Sequence, residues 1–63
     1  GDFKYRLLNE YDDLRERTDK LEKFLNSSGS NVLPSEQIEL LTEQLVVMKR
    51  YRDILENRIS KLA

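Results

Sequence analysis

The sequence contains no cysteine and no histidine, and this absence excludes several kinds of functional site. Disulfides, thiolate or imidazole metal ligands, and catalysis by Cys or His are all ruled out. Apolar residues are scattered, so no stretch reads as a membrane span, and none resembles a signal peptide. We therefore expect no cofactor, no metal, no membrane partner and a cytosolic setting.

An excess of charge of one sign is also lacking, since 11 basic residues face 12 acidic ones over 63 residues. There is thus no surplus of positive charge to hold a long nucleic acid. The hydrophobic fraction of 38% is too high for a disordered chain. A folded chain of this size buries only about 60% of the surface that it exposes when unfolded. Without disulfides or a metal, such a chain usually needs a partner, which favours self-association.

Proline and glycine are scarce and mark a single break in the chain. A polar stretch at residues 26–31 contains Gly29, and Pro34, the only proline, follows it. Proline suits a first helical turn, where its missing N–H would be unpaired anyway. We therefore predict one all-α domain that forms an antiparallel two-helix hairpin. Its expected parts are a helix at about 3–26, a loop at about 27–33 and a helix at about 34–62 within a domain of residues 1–63.

Both predicted helices carry an apolar seam with a repeat of 3.5 residues, which is typical of helices that pack along their length. The seam of the first helix has one polar interruption, at Thr18. The seams consist of Leu7, Tyr11, Leu14, Thr18, Leu21 and Leu25 in the first helix, and of Ile38, Leu41, Leu45, Met48, Arg52, Leu55, Ile59 and Leu62 in the second.

A second apolar stripe runs beside the seam of the second helix. A lone hairpin has one internal interface and cannot cover both, and each large apolar side chain left exposed forfeits roughly 1.5–3 kcal/mol. We therefore predict that this outer stripe is an interface between copies of the chain. The alternatives are scattered exposed hydrophobic residues on a monomer, or a fragment of a longer coiled coil that forms an elongated dimer. The residues of the outer stripe are Leu40, Val47, Tyr51 and Ile54.

Catalysis is not indicated, because no carboxylate pair falls in an apolar setting and no glycine-rich phosphate loop is present. Binding is better supported. Aromatic and basic residues alternate at Phe3-Lys4-Tyr5-Arg6 and again at 49–52. Aromatic faces stack on bases and cations neutralise phosphate, which suits a small nucleotide held between subunits. The simpler interpretation is an aromatic packing residue flanked by lysine and arginine side chains whose stems cover it.

The same residues form a wider pattern, most specific in the second half of the chain. It resembles a family of small phage-encoded helical hairpin proteins that includes the anti-CBASS sponges, and the resemblance covers nearly the whole chain. The matching positions are Phe3, Arg6, Glu10, Leu14, Lys20-Leu21 and Phe24, followed by Leu33-Pro34, Glu36-Gln37, Leu40-Leu41, Gln44, Met48, Tyr51, Leu55 and Arg58-Ile59.

The resemblance implies a compact homohexamer with pockets between protomers. These pockets would sequester cyclic dinucleotides and, as in some members, cyclic trinucleotides without cleaving them. The messenger would then fail to activate the CBASS effector in the cytoplasm of the host bacterium.

The resemblance also suggests roles for particular residues. Phe3 or Tyr5 would be the aromatic that stacks on a base, with Arg6 beside them. Lys20 would be the family's lysine, with Arg17 in reserve.

Two further roles follow from the resemblance. Glu22 stands where the family has a phosphate-binding hydroxyl, so Thr18 is the candidate to replace it. Arg58 matches an arginine of the trinucleotide pocket, although an arginine at a helix end also serves to bond the last carbonyl groups. The other hypothesis for the chain is a structural or chaperone-like oligomeric hairpin of phage origin with no nucleotide ligand.

Overall fold

Two long helices account for most of the chain in the computed structural model, which describes residues 2–62. Helix α1 spans Asp2–Leu25, a 3₁₀ helix spans Ser28–Val32, and helix α2 spans Ser35–Ser60. No β-strand occurs within these described residues. The helices pack against each other, so the expected all-α two-helix hairpin is confirmed.

The hairpin is a rod of 44 × 15 × 14 Å. Helix α2 has 26 residues, and at 1.5 Å per residue it extends for about 39 Å. The long dimension of the rod is therefore the length of one helix, and its width is that of two helices side by side.

The connection between the helices does not use a left-handed glycine, since no described residue has a positive φ. Hydrogen bonds within the connection hold it instead. The Ser27 hydroxyl donates to the Phe24 carbonyl oxygen at 2.7 Å, and the buried Ser30 hydroxyl donates to the Ser27 carbonyl at 2.9 Å. The segment expected as a loop thus contains a short 3₁₀ helix, and these serine hydroxyls satisfy the carbonyl groups of Phe24 and Ser27 just before it.

Helix α2 begins one residue after Pro34. This proline is the N-cap residue with φ −56° and ψ 146°, and its carbonyl accepts hydrogen bonds from the N–H groups of Gln37 and Ile38. Its extended ψ lies outside the helical region, which places it just before the first turn rather than in it. Glu36 then adds a negative charge to the first turn, where the helix dipole favours it.

The two seams face each other along the hairpin, as their spacing predicts. Every seam residue is buried or partly buried, whereas the residues between them are mostly exposed. The centre of the core is formed by Leu7, Leu14 and Leu55, and Tyr11, Met48, Ile59 and Leu62 pack around it.

The core is small for the surface that the chain presents. Within residues 2–62 only three apolar side chains are buried, while ten large ones are exposed. The accessible surface is 5019 Å², compared with about 4,250 Å² expected for a compact 7.5 kDa monomer. Much apolar surface is therefore left for contact with another molecule.

Neither α1 nor α2 has the length and apolar composition that a membrane span requires.

Candidate functional site

An open groove of about 420 Å³ runs along one side of the hairpin. Most of its wall comes from one face of α1, where the residues recur every three or four positions and therefore align. One aromatic side chain from α2 completes it. The lining residues are Arg6, Asn9, Glu10, Asp13, Leu14, Arg17 and Tyr51.

The charges of the groove alternate along α1. Arg6 and Arg17 stand at its two ends, and Glu10 and Asp13 lie between them. Formal charges therefore cancel, and the groove of a single hairpin does not concentrate positive charge. It offers cations at its ends and hydrogen-bond acceptors at its centre, with an aromatic ring at its side.

Tyr51 connects the two helices at this groove. Its hydroxyl, on α2, donates a hydrogen bond to a carboxylate oxygen of Glu10 on α1. Tyr51 remains 42% exposed, so the contact fixes the direction of the side chain without burying the residue. The groove therefore has an aromatic wall whose position depends on an acceptor from the opposite helix.

The outer stripe of α2 borders the groove at Tyr51, which belongs to both. Leu40 is 57% exposed, Val47 63% and Ile54 45%, so the hairpin leaves roughly half of each residue accessible. Arg58 follows Ile54 by four residues, which places it on the same line of α2. The exposed apolar stripe thus borders a polar groove, with the basic Arg58 at the C-terminal end of the stripe.

A second contact between the helices lies on the other flank of the seam. Lys49 precedes Tyr51 by two positions, about 200° around α2, and it pairs with Glu22 on α1. The hydrogen bond and charge of Lys49 hold the pKa of Glu22 below its ordinary value of 4.5. Within residues 2–62, the Tyr51–Glu10 contact therefore joins the two helices on one flank of the seam and the Lys49–Glu22 pair joins them on the other. The outer stripe lies on the Tyr51 flank.

The structure brings together part of the predicted ligand set. Arg6 and Arg17 line the groove. Phe3 lies one turn before Arg6, and Lys20 one turn after Arg17, so both extend the same line of α1 beyond the ends of the groove. Lys20 pairs with Glu16 at 3.0 Å, and both side chains remain largely exposed.

The remaining predicted ligand residues lie away from the groove. Tyr5 is 69% exposed, but it lies two positions from Phe3 and so faces another side of α1. Arg58 is exposed near the end of α2 on the line of the outer stripe. Of the two aromatic candidates on α1, Phe3 alone shares the face of the groove.

The structure corrects the expectation for Thr18. Its side chain is fully buried in the seam, and its hydroxyl donates to the Leu14 carbonyl oxygen at 2.7 Å. A hydroxyl that is enclosed and already paired in this way cannot meet a phosphate in this hairpin. Thr18 is a core residue that satisfies its own polar group, and we remove it from the candidate site.

Sequence reasoning did not place Asn9, Glu10 or Asp13 in the ligand site, although Glu10 is one of the positions that carry the family resemblance. A signal for them was present. The line Phe3, Arg6, Glu10, Asp13, Arg17 and Lys20 is spaced 3, 4, 3, 4 and 3, which is the repeat of the seam itself. Within residues 2–62, no set of three acidic side chains converges as metal ligands.

These features define a small all-α hairpin with a polar groove beside an uncovered apolar stripe. The Sequestin family model matches residues 1–61, and the chain belongs to that family. It is similar to an uncharacterized 7.5 kDa protein encoded in the denB-rIIB intergenic region of Enterobacteria phage T4. The two are 36% identical over 59 residues, which cover 94% of this chain and 92% of that protein. No solved structure matches. The expected relation to a family of small phage proteins is confirmed.

Proposed function

We propose that this chain is a non-catalytic phage protein that sequesters cyclic di- and trinucleotides at pockets between protomers. In the cytoplasm of the host bacterium it would hold these messengers without cleaving them and so prevent activation of the CBASS effector. The observation that carries the proposal is the Sequestin family match over residues 1–61, since the family name denotes sequestration.

The surplus of apolar surface supports assembly into a homo-oligomer, which we propose is a hexamer. Leu40, Val47, Tyr51 and Ile54 lie on one face of α2 and remain 42–63% exposed in the hairpin. Burying them against another copy recovers roughly 25 cal/mol for each Å² of apolar surface removed from water. A second copy of the same chain is the partner we favour, because other copies are available wherever the protein is present.

The position of the groove supports a ligand pocket between protomers. A copy that docks on the outer stripe reaches Tyr51, and Tyr51 is also a wall of the groove. Assembly would therefore bring a second chain to the edge of the groove and close its open side. A volume of about 420 Å³ lies in the range of small-molecule pockets, about 300–1,000 Å³.

The charge balance of the groove also argues for a shared pocket. Arg6 and Arg17 are offset by Glu10 and Asp13, so one hairpin offers an anionic ligand no net attraction. Lys20 and Arg58 are exposed basic side chains outside the groove, and those of a neighbouring protomer would add positive charge to it. Phosphate capture at such a site requires more than one copy of the chain.

Calorimetry with the intact protein tests this function. A panel of cyclic di- and trinucleotides is titrated into protein at tens of micromolar, and the ligand is recovered and analysed afterwards. We expect saturable binding of at least one cyclic dinucleotide, with stoichiometry below one per chain and the ligand returned intact. Absence of heat with every member of the panel, or recovery of linearised product, contradicts the proposal.

A structural or chaperone-like hairpin without a nucleotide ligand is the second candidate, favoured by the cancelled charge of the groove and by the enclosed hydroxyl of Thr18. The substitution Lys20→Glu separates the two. It should abolish ligand capture if the site binds phosphate and should leave the protein unaffected otherwise. Lys4→Glu, the same charge change on an exposed lysine about 160° around α1 from Lys20 and outside the groove, is the matched control.

A further inference from the structure

The two carboxylates at the centre of the groove need a chemical explanation if its ligand is a phosphodiester. Glu10 and Asp13 repel phosphate, and they lie between the arginines that would attract it. A carboxylate accepts hydrogen bonds and cannot donate them when ionised. The middle of the groove is therefore suited to a group that presents N–H donors.

The two carboxylates are not equivalent. Glu10 accepts a hydrogen bond from the Tyr51 hydroxyl and thereby positions that ring. Asp13 is exposed and forms no ion pair or side-chain hydrogen bond with any of residues 2–62. Glu10 thus has a structural partner within the hairpin, whereas both oxygens of Asp13 are available to a ligand.

Purine bases differ in what they offer to such an acceptor. Guanine presents two adjacent donors, N1–H and the N2 amino group, which match the two oxygens of one carboxylate. Adenine presents a single amino group beside the N1 lone pair, and that lone pair faces a carboxylate unfavourably. A site built to accept hydrogen bonds discriminates strongly against a ligand that cannot supply them, because its own polar group is then left unpaired.

We infer that Asp13 makes this groove selective for guanine over adenine in a cyclic dinucleotide. This inference rests on the proposed function and adds to it the identity of the base. The Asp13 carboxylate accepts from the N1–H and N2 amino groups of guanine, while Tyr51, held by Glu10, supplies an aromatic face beside the base. Arg6 and Arg17, at the ends of the groove, are placed for the phosphates or for the guanine O6 and N7 acceptors.

Isothermal calorimetry with cyclic di-GMP, cyclic di-AMP and cyclic GMP–AMP tests the inference on the intact protein. The wild-type chain should bind the guanine-containing ligands at least tenfold more tightly than cyclic di-AMP. Asp13→Asn places an amide donor opposite the guanine donors, and it should reduce that preference by about tenfold or more, as expected for loss of a two-point base contact. Asp12→Asn makes the same charge change at an exposed neighbour outside the groove and should preserve the preference.

Each outcome can be read separately. Equal dissociation constants for the guanine and adenine ligands overturn the inference but leave the proposed function intact. Equal effects of Asp12→Asn and Asp13→Asn do the same, because the change is then one of overall charge. If Asp13→Asn alters the mass of the assembly in light scattering and not the preference, the groove is a contact between copies and the inference is wrong. Failure of all three ligands to bind overturns the inference, and the proposed function fails with it if the other cyclic di- and trinucleotides of the panel also give no heat.

Discussion

The hydroxyl of Tyr51 on α2 donates a hydrogen bond to the carboxylate of Glu10 on α1, so one side chain serves two surfaces. Tyr51 belongs to the outer stripe by its position on α2 and to the groove by the direction of its ring. We therefore expect Tyr51 to take part both in contact between copies and in ligand binding in the groove. A change in the contact between copies should therefore alter ligand binding in the groove, and ligand binding should alter that contact.

The Tyr51–Glu10 contact predicts energetic coupling between the two helices. Tyr51→Phe and Glu10→Ala should each lower the free energy of unfolding by about 0.5–1 kcal/mol, because the hydrogen bond is partly exposed to water. The double variant should cost less than the sum of the two, since either change alone removes the same contact. Urea unfolding at one fixed protein concentration measures all four states of the cycle.

Strict additivity in this cycle would mean that the hydroxyl and the carboxylate are not coupled in solution. Tyr51→Phe should also leave the mass of the assembly unchanged, because it retains the apolar ring of the outer stripe.

Neighbouring valines on α2 provide a sharp test of the outer stripe. Val47 is 63% exposed and lies on the stripe, whereas Val46 is 65% exposed and lies about 100° away around the helix. Val47→Glu should dissociate the assembly to a 7.5 kDa species, because an unpaired carboxylate buried in an interface costs several kcal/mol. Val46→Glu should leave the mass unchanged. Light scattering coupled to size exclusion measures both.

A wild-type protein that is already a single chain at micromolar concentration would remove the basis of this prediction. Dissociation by both variants would show that the interface is not confined to the stripe.

The burial of Thr18 predicts that its hydroxyl takes no part in ligand binding. Thr18→Val exchanges a buried hydroxyl for a methyl group of similar shape, and the Leu14 carbonyl keeps its place in the helix ladder. We expect a free energy of unfolding within about 1 kcal/mol of wild type and a dissociation constant for cyclic dinucleotides changed by less than about twofold. A large loss of affinity in a normally folded variant would return the hydroxyl to the binding site.

The Glu22–Lys49 pair predicts a specific dependence of stability on pH. Since the pKa of Glu22 is lowered in the folded chain, its pairing stabilises the fold above the ordinary value of 4.5 and is lost as pH falls through the lowered pKa. Glu22→Gln should therefore be less stable than wild type at pH 7, and the difference should shrink towards pH 3. Urea unfolding at the two pH values measures this.

Two controls accompany the pH experiment. Glu43→Gln changes an exposed carboxylate of α2 that forms no ion pair with the rest of residues 2–62. Its effect on the free energy of unfolding should be small and should not shrink from pH 7 to pH 3 as the Glu22→Gln effect does. High salt should also reduce the Glu22 effect, because the pair is partly exposed and therefore screened. A difference between wild type and Glu22→Gln that stays constant from pH 7 to pH 3 would argue against the pairing.

Much of the fold follows from the spacing of apolar residues. Leu14 and Leu55 lie on seams with a repeat of 3.5, and a helix places such residues on one face wherever the chain is folded. The polar stretch before Pro34 allows one reversal of direction. Local periodicity and one break are sufficient to specify two helices that pack through their seams.

The candidate site was less accessible to the same reasoning. The line through Glu10 and Asp13 has the repeat of the seam, but charged residues at that spacing also describe an ordinary solvated helix face. Only the contact with Tyr51, 41 residues further along the chain than Glu10, distinguishes this face from the others on α1. Thr18 is the opposite case. Its sequence position makes its hydroxyl a candidate ligand, and only the structure shows that this hydroxyl is buried and already hydrogen-bonded.

By itself the sequence determined two helices, the seams that join them and an apolar stripe left without a partner, because each depends on the fixed geometry of a single helix. The tertiary structure decided which flank of α1 faces that stripe, which acids and arginines share a groove, and which hydroxyl is enclosed. These depend on the rotation of one helix against the other, and rotation is set by side-chain packing between residues far apart in the chain.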